Sequence, residues 1–159
     1  ETPVGFKFIG EYIIEDRIVI GGEESAGLTV RAHVPDKDGV LACLLVAEMV
    51  AVEGKPIARL LAELYERVGT FHTRRDNIRL TSALEAQVAD KLKNPPTRIA
   101  GRDIEKIVTI DGSKYLFDDG SWLLFRKSGT EPVVRLYGEA RTVKALEELM
   151  SAGRDLLLK

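Results

Sequence analysis

Three turn signals in the second half of the chain leave little choice of fold there. Asp111-Gly112, Asp118-Asp119-Gly120 and Ser128-Gly129-Thr130 separate short apolar runs at residues 104–110, 114–117, 121–126 and 133–139. Glycine after aspartate supplies the positive φ of a tight hairpin, so runs joined this closely pair antiparallel. Helical patterns flank the meander. Leu84, Val88 and Leu92 form one apolar stripe behind Ser82-Ala83-Leu84-Glu85, which reads as a capping box, and Asn94-Pro95-Pro96 ends that helix. After the last strand, Thr142 can cap a helix that buries Leu146, Leu149 or Met150, and Leu157. The predicted unit is helix, four antiparallel strands, helix, with both helices on one face of the sheet. Trp122, Phe125 and Tyr137 are read as its core.

The first half has a different grammar. Phe6, Phe8, Ile9 and Tyr12 pack a short helix or loop, and Arg17-Ile18-Val19-Ile20 reads as a buried strand bounded by Gly21-Gly22. Asp38 or Asp36 caps an apolar helix from about Val40 to Glu53, which is apolar nearly all round and should be covered on most sides. Pro56 opens a second helix carrying Ile57, Leu60, Leu61, Leu64 and Val68, and Gly69 stops it. Residues 70–80 turn polar and basic, with Arg74, Arg75 and Arg79, and read as an extended connection whose end enters the next sheet. The chain is therefore predicted as α+β, with one unit at 1–69, a linker at 70–80 and a second unit at 81–159.

Composition narrows the function. A net charge of −2 on 159 residues advertises no basic face, which disfavours nucleic acid. The most apolar segment, residues 40–52, is too short to span a bilayer and contains Glu48, so no membrane partner is expected. The single cysteine, Cys43, excludes an internal disulfide and fits a reducing, cytoplasmic compartment. His33 and His72 lack the spacing of a zinc site, and Asp36 and Asp38 read as caps because no third carboxylate follows. No metal ligand is expected in this chain. The start at Glu1-Thr2-Pro3, with neither a signal sequence nor an initiating methionine, suggests a fragment.

Two loops carry chemistry. In Arg126-Lys127-Ser128-Gly129-Thr130-Glu131-Pro132-Val133-Val134-Arg135, two guanidiniums, two hydroxyls and a glycine-opened backbone suit a phosphate dianion. Glu131 would repel such an anion, so it is expected to point outward or to hold one arginine in its rotamer. The plainer reading is a tight turn between two strands. In Gly22-Glu23-Glu24-Ser25, a carboxylate and a hydroxyl could project together from a strand end, the carboxylate accepting from two vicinal hydroxyls of a sugar; the plainer reading is a solvated turn.

Arg-Lys-Ser-Gly-Thr-Glu-Pro followed by Arg135 and Tyr137 resembles the phosphate-binding loop of the α-D-phosphohexomutases, the phosphoglucomutases and phosphomannomutases. The segment from Thr2 through Lys7, then Gly21 to Ser25 and His33 to Gly39, is similar to the part that closes that family's third domain. The two motifs stand in the family's order and span the chain nearly from end to end. The resemblance implies the remainder of an α/β third domain followed by a small TATA-binding-protein-like C-terminal domain. It assigns Arg126, Ser128, Gly129, Thr130 and Arg135 to phosphate, Glu23 and Ser25 to sugar, and places Lys7 near the ligand as a candidate for proton transfer. Dual-specificity members carry a histidine where this chain has Gly27, so glucose phosphates are favoured, with mannose as the alternative. The family's phosphoserine and its aspartate-rich loop for magnesium are not in this sequence. What is implied is the substrate-binding portion of an enzyme that uses Mg2+ and a hexose bisphosphate activator, partnered by missing N-terminal domains and inactive alone. The competing expectation is a stand-alone, non-catalytic module for sugar phosphates or anions.

Overall fold

A computed structural model describes residues 1–129 and 131–158; the side chains of Ser82, Ala83, Ala86, Ala89 and Lys93 fall outside the description. The chain divides into two compact units, Glu1–Arg67 and Val68–Lys159.

The first unit opens with α1 (Phe6–Ile14), whose Phe6, Ile9 and Ile13 are buried at helical spacing. It lies on a small antiparallel hairpin, β1 (Ile20–Gly22) with β2 (Leu28–Val30), in the register Ile20↔Val30. The approach is close enough to require glycine: a Cβ on Gly21 would stand 2.2 Å from Cγ2 of Ile9. The buried strand predicted at residues 17–20 is not formed. The strand begins only at Ile20, and Val19 and Ile20 are exposed, because β2 is the sole strand that pairs with β1 among the described residues.

α2 (Gly39–Glu53) is capped by Asp38, whose Oδ1 accepts from the N–H groups of Val40 and Leu41. His33 Nε2 lies 2.9 Å from the other carboxylate oxygen, and this contact, with the Leu41 N–H bond, holds the Asp38 carboxyl below the usual carboxylate range. α3 (Ile57–Val68) starts just after Pro56 and ends at Gly69, which takes a positive φ of 85°. The cover expected for the apolar helix is not supplied within this unit. None of the residues of α2 is buried, and Val40, Leu44, Met49 and Val52 stand exposed, as do Ile57, Leu61 and Leu64 of α3. Among the described residues no helix is long and apolar enough to cross a membrane.

The second unit is an antiparallel sheet backed by two helices. Its elements are β3 (His72–Arg79), α4 (Ser82–Lys93), β4 (Arg98–Ile99), β5 (Arg102–Val108), β6 (Ser113–Phe117), β7 (Trp122–Lys127), β8 (Val133–Ala140) and α5 (Val143–Leu158). The sheet order is β3-β8-β7-β6-β5-β4, so the four predicted strands β5 to β8 form the meander and one further strand is added at each edge. β4 is only two residues long. β3 is the segment read as a connection; it pairs with β8 along its whole length, from His72↔Ala140 to Arg79↔Val133. Its polarity hid it: of its eight residues only Ile78 is buried.

One face of the sheet makes the core. Tyr115, Phe117, Leu123, Phe125, Val134 and Leu136 turn toward α5, which contributes Leu146, Leu149, Met150 and Leu157, and toward Val88 of α4. Burial pushes the Tyr115 hydroxyl pKa up. Phe125 is core as expected, whereas Trp122 and Tyr137 are only half-buried on the opposite face, since alternation along β7 and β8 sends them there. The cap of α4 is Thr81, one residue before the predicted Ser82, with Thr81 Oγ1 accepting from Leu84 N–H. Thr142 Oγ1 accepts from Ala145 N–H at the start of α5, as predicted.

Asp76 ties the edge strand to the helix layer. Arg154 of α5 donates to it at 2.7 Å and Arg74 at 3.0 and 3.2 Å, and its side chain is only 13% exposed. Partial burial pushes its pKa up, but the Arg154 and Arg74 bonds together outweigh that and hold it below the usual carboxylate range. A depressed folded pKa gives stability that is present above the unfolded value, about 3.9, and is lost as pH falls through the folded one. Asp76→Asn is expected to cost about 1–3 kcal/mol at neutral pH and to flatten the decline of the thermal midpoint below about pH 5. Melting curves for both proteins between neutral and acid pH check this; parallel curves would contradict it.

Candidate functional site

The arginine-bearing loop joins β7 to β8. Phe125, Val134 and Leu136 face the core, so alternation sends Arg126 and Arg135 to the open face, where they are direct cross-strand partners. Ser128 N–H donates to Val133 C=O at 2.9 Å and closes the loop, while Leu80 N–H donates to Pro132 C=O at 2.8 Å and anchors it to the end of β3. Lys127 pairs with Glu85 in the first turn of α4.

Two guanidiniums facing each other across a strand pair repel. Each has a carboxylate. Arg126 donates from Nε to Asp111 Oδ2 at 3.0 Å, and Nη2 of Arg135 lies 3.6 Å from Glu131 Oε2. Glu131 thus does hold an arginine, one of the two roles expected of it. Arg126 is only 16% exposed, and its buried Nη1 has no hydrogen-bond partner among the described residues. Ser128 is buried, and Gly129 is exposed. Gly129 is not forced by the turn: its φ lies outside the left-handed region, and a Cβ there would meet nothing within 4 Å. Thr130 lies outside the described residues.

Sequence reading saw Asp111-Gly112 only as a turn. Gly112 has φ 86°, and a Cβ on it would stand 2.3 Å from the carbonyl oxygen of Phe125 and 3.1 Å from Cα of Arg126. The β5–β6 turn therefore rests on the β7 backbone beside Arg126, which is what brings Asp111 to that side chain.

The second loop closes the β1–β2 hairpin of the first unit. Glu23 N–H donates to Gly27 C=O at 2.9 Å, and Ala26 N–H donates to Glu23 C=O at 3.0 Å. The Glu23 carboxylate is 16% exposed, with Ser25 Oγ at 3.5 Å and Lys37 Nζ at 3.7 Å from Oε2. The structure thus brings Glu23 and Ser25 together and adds Lys37, which no sequence signal singled out. A Cβ on Gly27 would lie 3.2 Å from both Glu23 Oε2 and Lys37 Cδ, so a side chain there would crowd this pair. Lys7 is exposed on α1, its ammonium 4.9 Å from the Phe8 ring centroid. Among the described residues no group of three or more His, Cys, Asp or Glu side chains could hold a metal ion.

Comparison with known proteins shows the family of both units. Residues 1–68 match the family model described as phosphoglucomutase/phosphomannomutase, alpha/beta/alpha domain III, and residues 74–156 match the one described as the C-terminal domain of the same family. A phosphoglucomutase/phosphomannomutase of Thermococcus kodakarensis is 34% identical over 98% of this chain and 32% of its own length. A phosphoglucosamine mutase of Methanococcus maripaludis is 30% identical over 98% of this chain and 33% of its own. A crystal structure from Thermus thermophilus, described provisionally as a phosphomannomutase, superposes with a TM-score of 0.77 at 34% identity, covering 99% of this chain and 31% of that one. The chain spans about a third of the length of these relatives.

The contact of the Gly112 turn with β7 is open to test. Gly112→Ala adds a methyl group against backbone at a positive φ, and is expected to destabilise the second unit by about 1–3 kcal/mol. Urea unfolding measures it; an unchanged midpoint would show that the turn does not rest on β7.

Proposed function

This chain belongs to the phosphoglucomutase/phosphomannomutase family, and from that premise we propose that it is the substrate-gripping portion of a phosphohexomutase that interconverts hexose 1-phosphates and 6-phosphates through a bisphosphorylated intermediate. The observation that carries the reading is the cross-strand pair Arg126 and Arg135 beside the Ser128-Gly129 backbone, with one buried guanidinium N–H group unpartnered among the described residues. Such an array takes the phosphate that is not being transferred, through paired charge-assisted hydrogen bonds, with Thr130 as a further donor. Glu23 and Ser25 take sugar hydroxyls: the carboxylate accepts from two at once, and Lys37 holds it in place. Lys7 is the candidate within this chain for proton transfer. It stands exposed on α1, and a lysine acts as a general base only where its surroundings exclude water.

Glucose phosphate is the favoured substrate, on the strength of Gly27 where dual-specificity members have histidine. Relatives named phosphoglucosamine mutase support glucosamine phosphate as a second reading. Mannose phosphate is the third substrate to test. The family's magnesium ion neutralises charge on the transferring phosphoryl group. The described residues offer no donor set that fits it, so its ligands and the phosphoserine are assigned to parts of the protein beyond this chain. The exposed apolar positions of α2 and α3 fit the same view. They include a mostly apolar cavity of about 380 Å³ lined by Met49, Ile57, Leu60, Leu61 and Leu64, with the charged Glu53, Glu63 and Arg67 also on its wall, a surface suited to the remaining layers of an alpha/beta/alpha domain. The intact protein is assigned to the cytoplasm, which the lone Cys43 fits.

Binding to the chain separates this reading from a simple anion site. Arg135→Ala is expected to weaken glucose 1-phosphate binding about tenfold to a hundredfold, the worth of one charge-assisted contact of roughly 1.5–3 kcal/mol. Glu23→Gln should weaken the sugar phosphates but leave inorganic phosphate unchanged. NMR titration of the chain and both variants with glucose 1-phosphate, glucosamine 1-phosphate, mannose 1-phosphate and inorganic phosphate reads all of this. Equal losses for sugar phosphate and inorganic phosphate in Glu23→Gln would remove the sugar assignment, and an unaffected Arg135→Ala would remove the phosphate assignment.

A further inference from the structure

We infer that Asp111 is a positioning residue for the phosphate loop: it fixes the Arg126 guanidinium so that the edge carrying its terminal nitrogens is presented to the anion. The inference rests on the phosphate reading of that loop and adds to it a residue on a different hairpin.

The geometry is specific. Asp111 Oδ2 accepts from Nε, the nitrogen nearest the stem, at 3.0 Å. A guanidinium is a planar fork, so a carboxylate bound at Nε fixes the direction of the remaining donors without occupying them all. Among the described residues the buried Nη1 has no partner, which is costly for a charged donor unless a ligand satisfies it. Asp111 is itself held by construction: the turn that carries it packs on the β7 backbone, where Gly112 admits an approach that any side chain would block. A mobile arginine would lose rotamer freedom on each binding event; here that freedom is already gone.

A carboxylate near an anion site also repels the anion, so the two effects compete. Asp111 bonds the Nε edge, which sets it a guanidinium's width or more from an anion at the terminal nitrogens. In a water-filled loop the repulsion at such separations is about 1 kcal/mol, and salt screens it further. We take ordering of the arginine as the larger effect, and the sign of the Asp111→Ala change decides between the two. Removing Asp111 should therefore weaken binding, although it removes a negative charge.

The test is NMR titration of the chain with glucose 1-phosphate, comparing Asp111→Ala, Asp111→Asn, Arg126→Ala and the double variant Asp111→Ala/Arg126→Ala. Backbone spectra and melting curves verify that each variant is folded; should the alanine variant at 111 unfold, the asparagine variant carries the comparison. Asp111→Ala is expected to bind about three- to tenfold more weakly, the scale of one arginine's rotamer entropy. Asp111→Asn keeps an acceptor for Nε–H and should recover most of that loss. The Arg126 Nε–Hε resonance, sharp in the wild type, should broaden in Asp111→Ala and sharpen again in Asp111→Asn. In the Arg126→Ala background, removing Asp111 should have no further effect. A loss that persists in that background, or an Asp111→Ala variant that binds like wild type while Arg126→Ala does not, overturns the positioning role and leaves the phosphate loop standing. An Arg126→Ala variant that binds normally overturns both.

Discussion

Arg126 and Arg135 occupy paired positions on adjacent antiparallel strands, where side chains stand about 5 Å apart at Cβ and like charges oppose each other. The backbone ladder from Trp122↔Glu139 to Lys127↔Val134 fixes that register, and the buried faces of β7 and β8 prevent it from slipping. A one-residue slip would turn Phe125 and Leu136 out of the core and the arginines into it. Stability of the sheet and the concentration of positive charge at its end are therefore one constraint. The two carboxylates follow from it. Asp111 reaches Arg126 from a neighbouring hairpin, and Glu131 reaches Arg135 from within the loop, so each guanidinium is partly compensated while donors remain for a ligand.

Much of this was legible in the sequence because turn chemistry and alternation act locally. Asp111-Gly112 and Asp118-Asp119-Gly120 fix hairpins through φ alone, and the strands between them could be placed without knowing their neighbours. β3 could not. Its burial comes from pairing with β8, far along the chain, and with Ile78 as its only buried residue it shows no apolar alternation. The four-strand expectation became six for this reason, and because β4 is too short to leave a pattern. Site residues show the same division. Glu23, Ser25, Arg126 and Arg135 lie in contiguous motifs, whereas Asp111 and Lys37 reach their partners by tertiary folding, across 15 and 14 positions of chain. Thr81 displaced Ser82 as cap of α4 because a cap is defined by where helical geometry starts, which two adjacent hydroxyl residues leave ambiguous.

The first unit shows what a periodicity argument leaves undecided. An apolar pattern around all of α2 states that the helix needs cover, and says nothing of which residues supply it. Within Glu1–Arg67, α1 and the β1–β2 hairpin bury Phe6, Ile9, Ile13 and Thr29, and the helices α2 and α3 keep large apolar side chains in contact with water. Such faces are normally the inside of a larger structure. That is in keeping with a chain that spans about a third of the relatives it matches.

On the proposed reading, the two loops would divide recognition by the kind of group each can satisfy. Arginines on a rigid strand pair suit a dianion, whose charge is the same on every hexose phosphate, so the second unit can bind tightly without choosing among sugars. Choice requires a group that counts hydroxyls and senses their placement, and a carboxylate with a neighbouring serine is such a group. Glu23 performs that role only if it stays oriented when no sugar is bound. Lys37 Nζ and Ser25 Oγ stand 3.7 and 3.5 Å from its Oε2, and Gly27 leaves room for Lys37 beside it. A side chain at position 27 would start 3.2 Å from both Glu23 Oε2 and Lys37 Cδ, so this pair would have to give by a few tenths of an ångström to admit it.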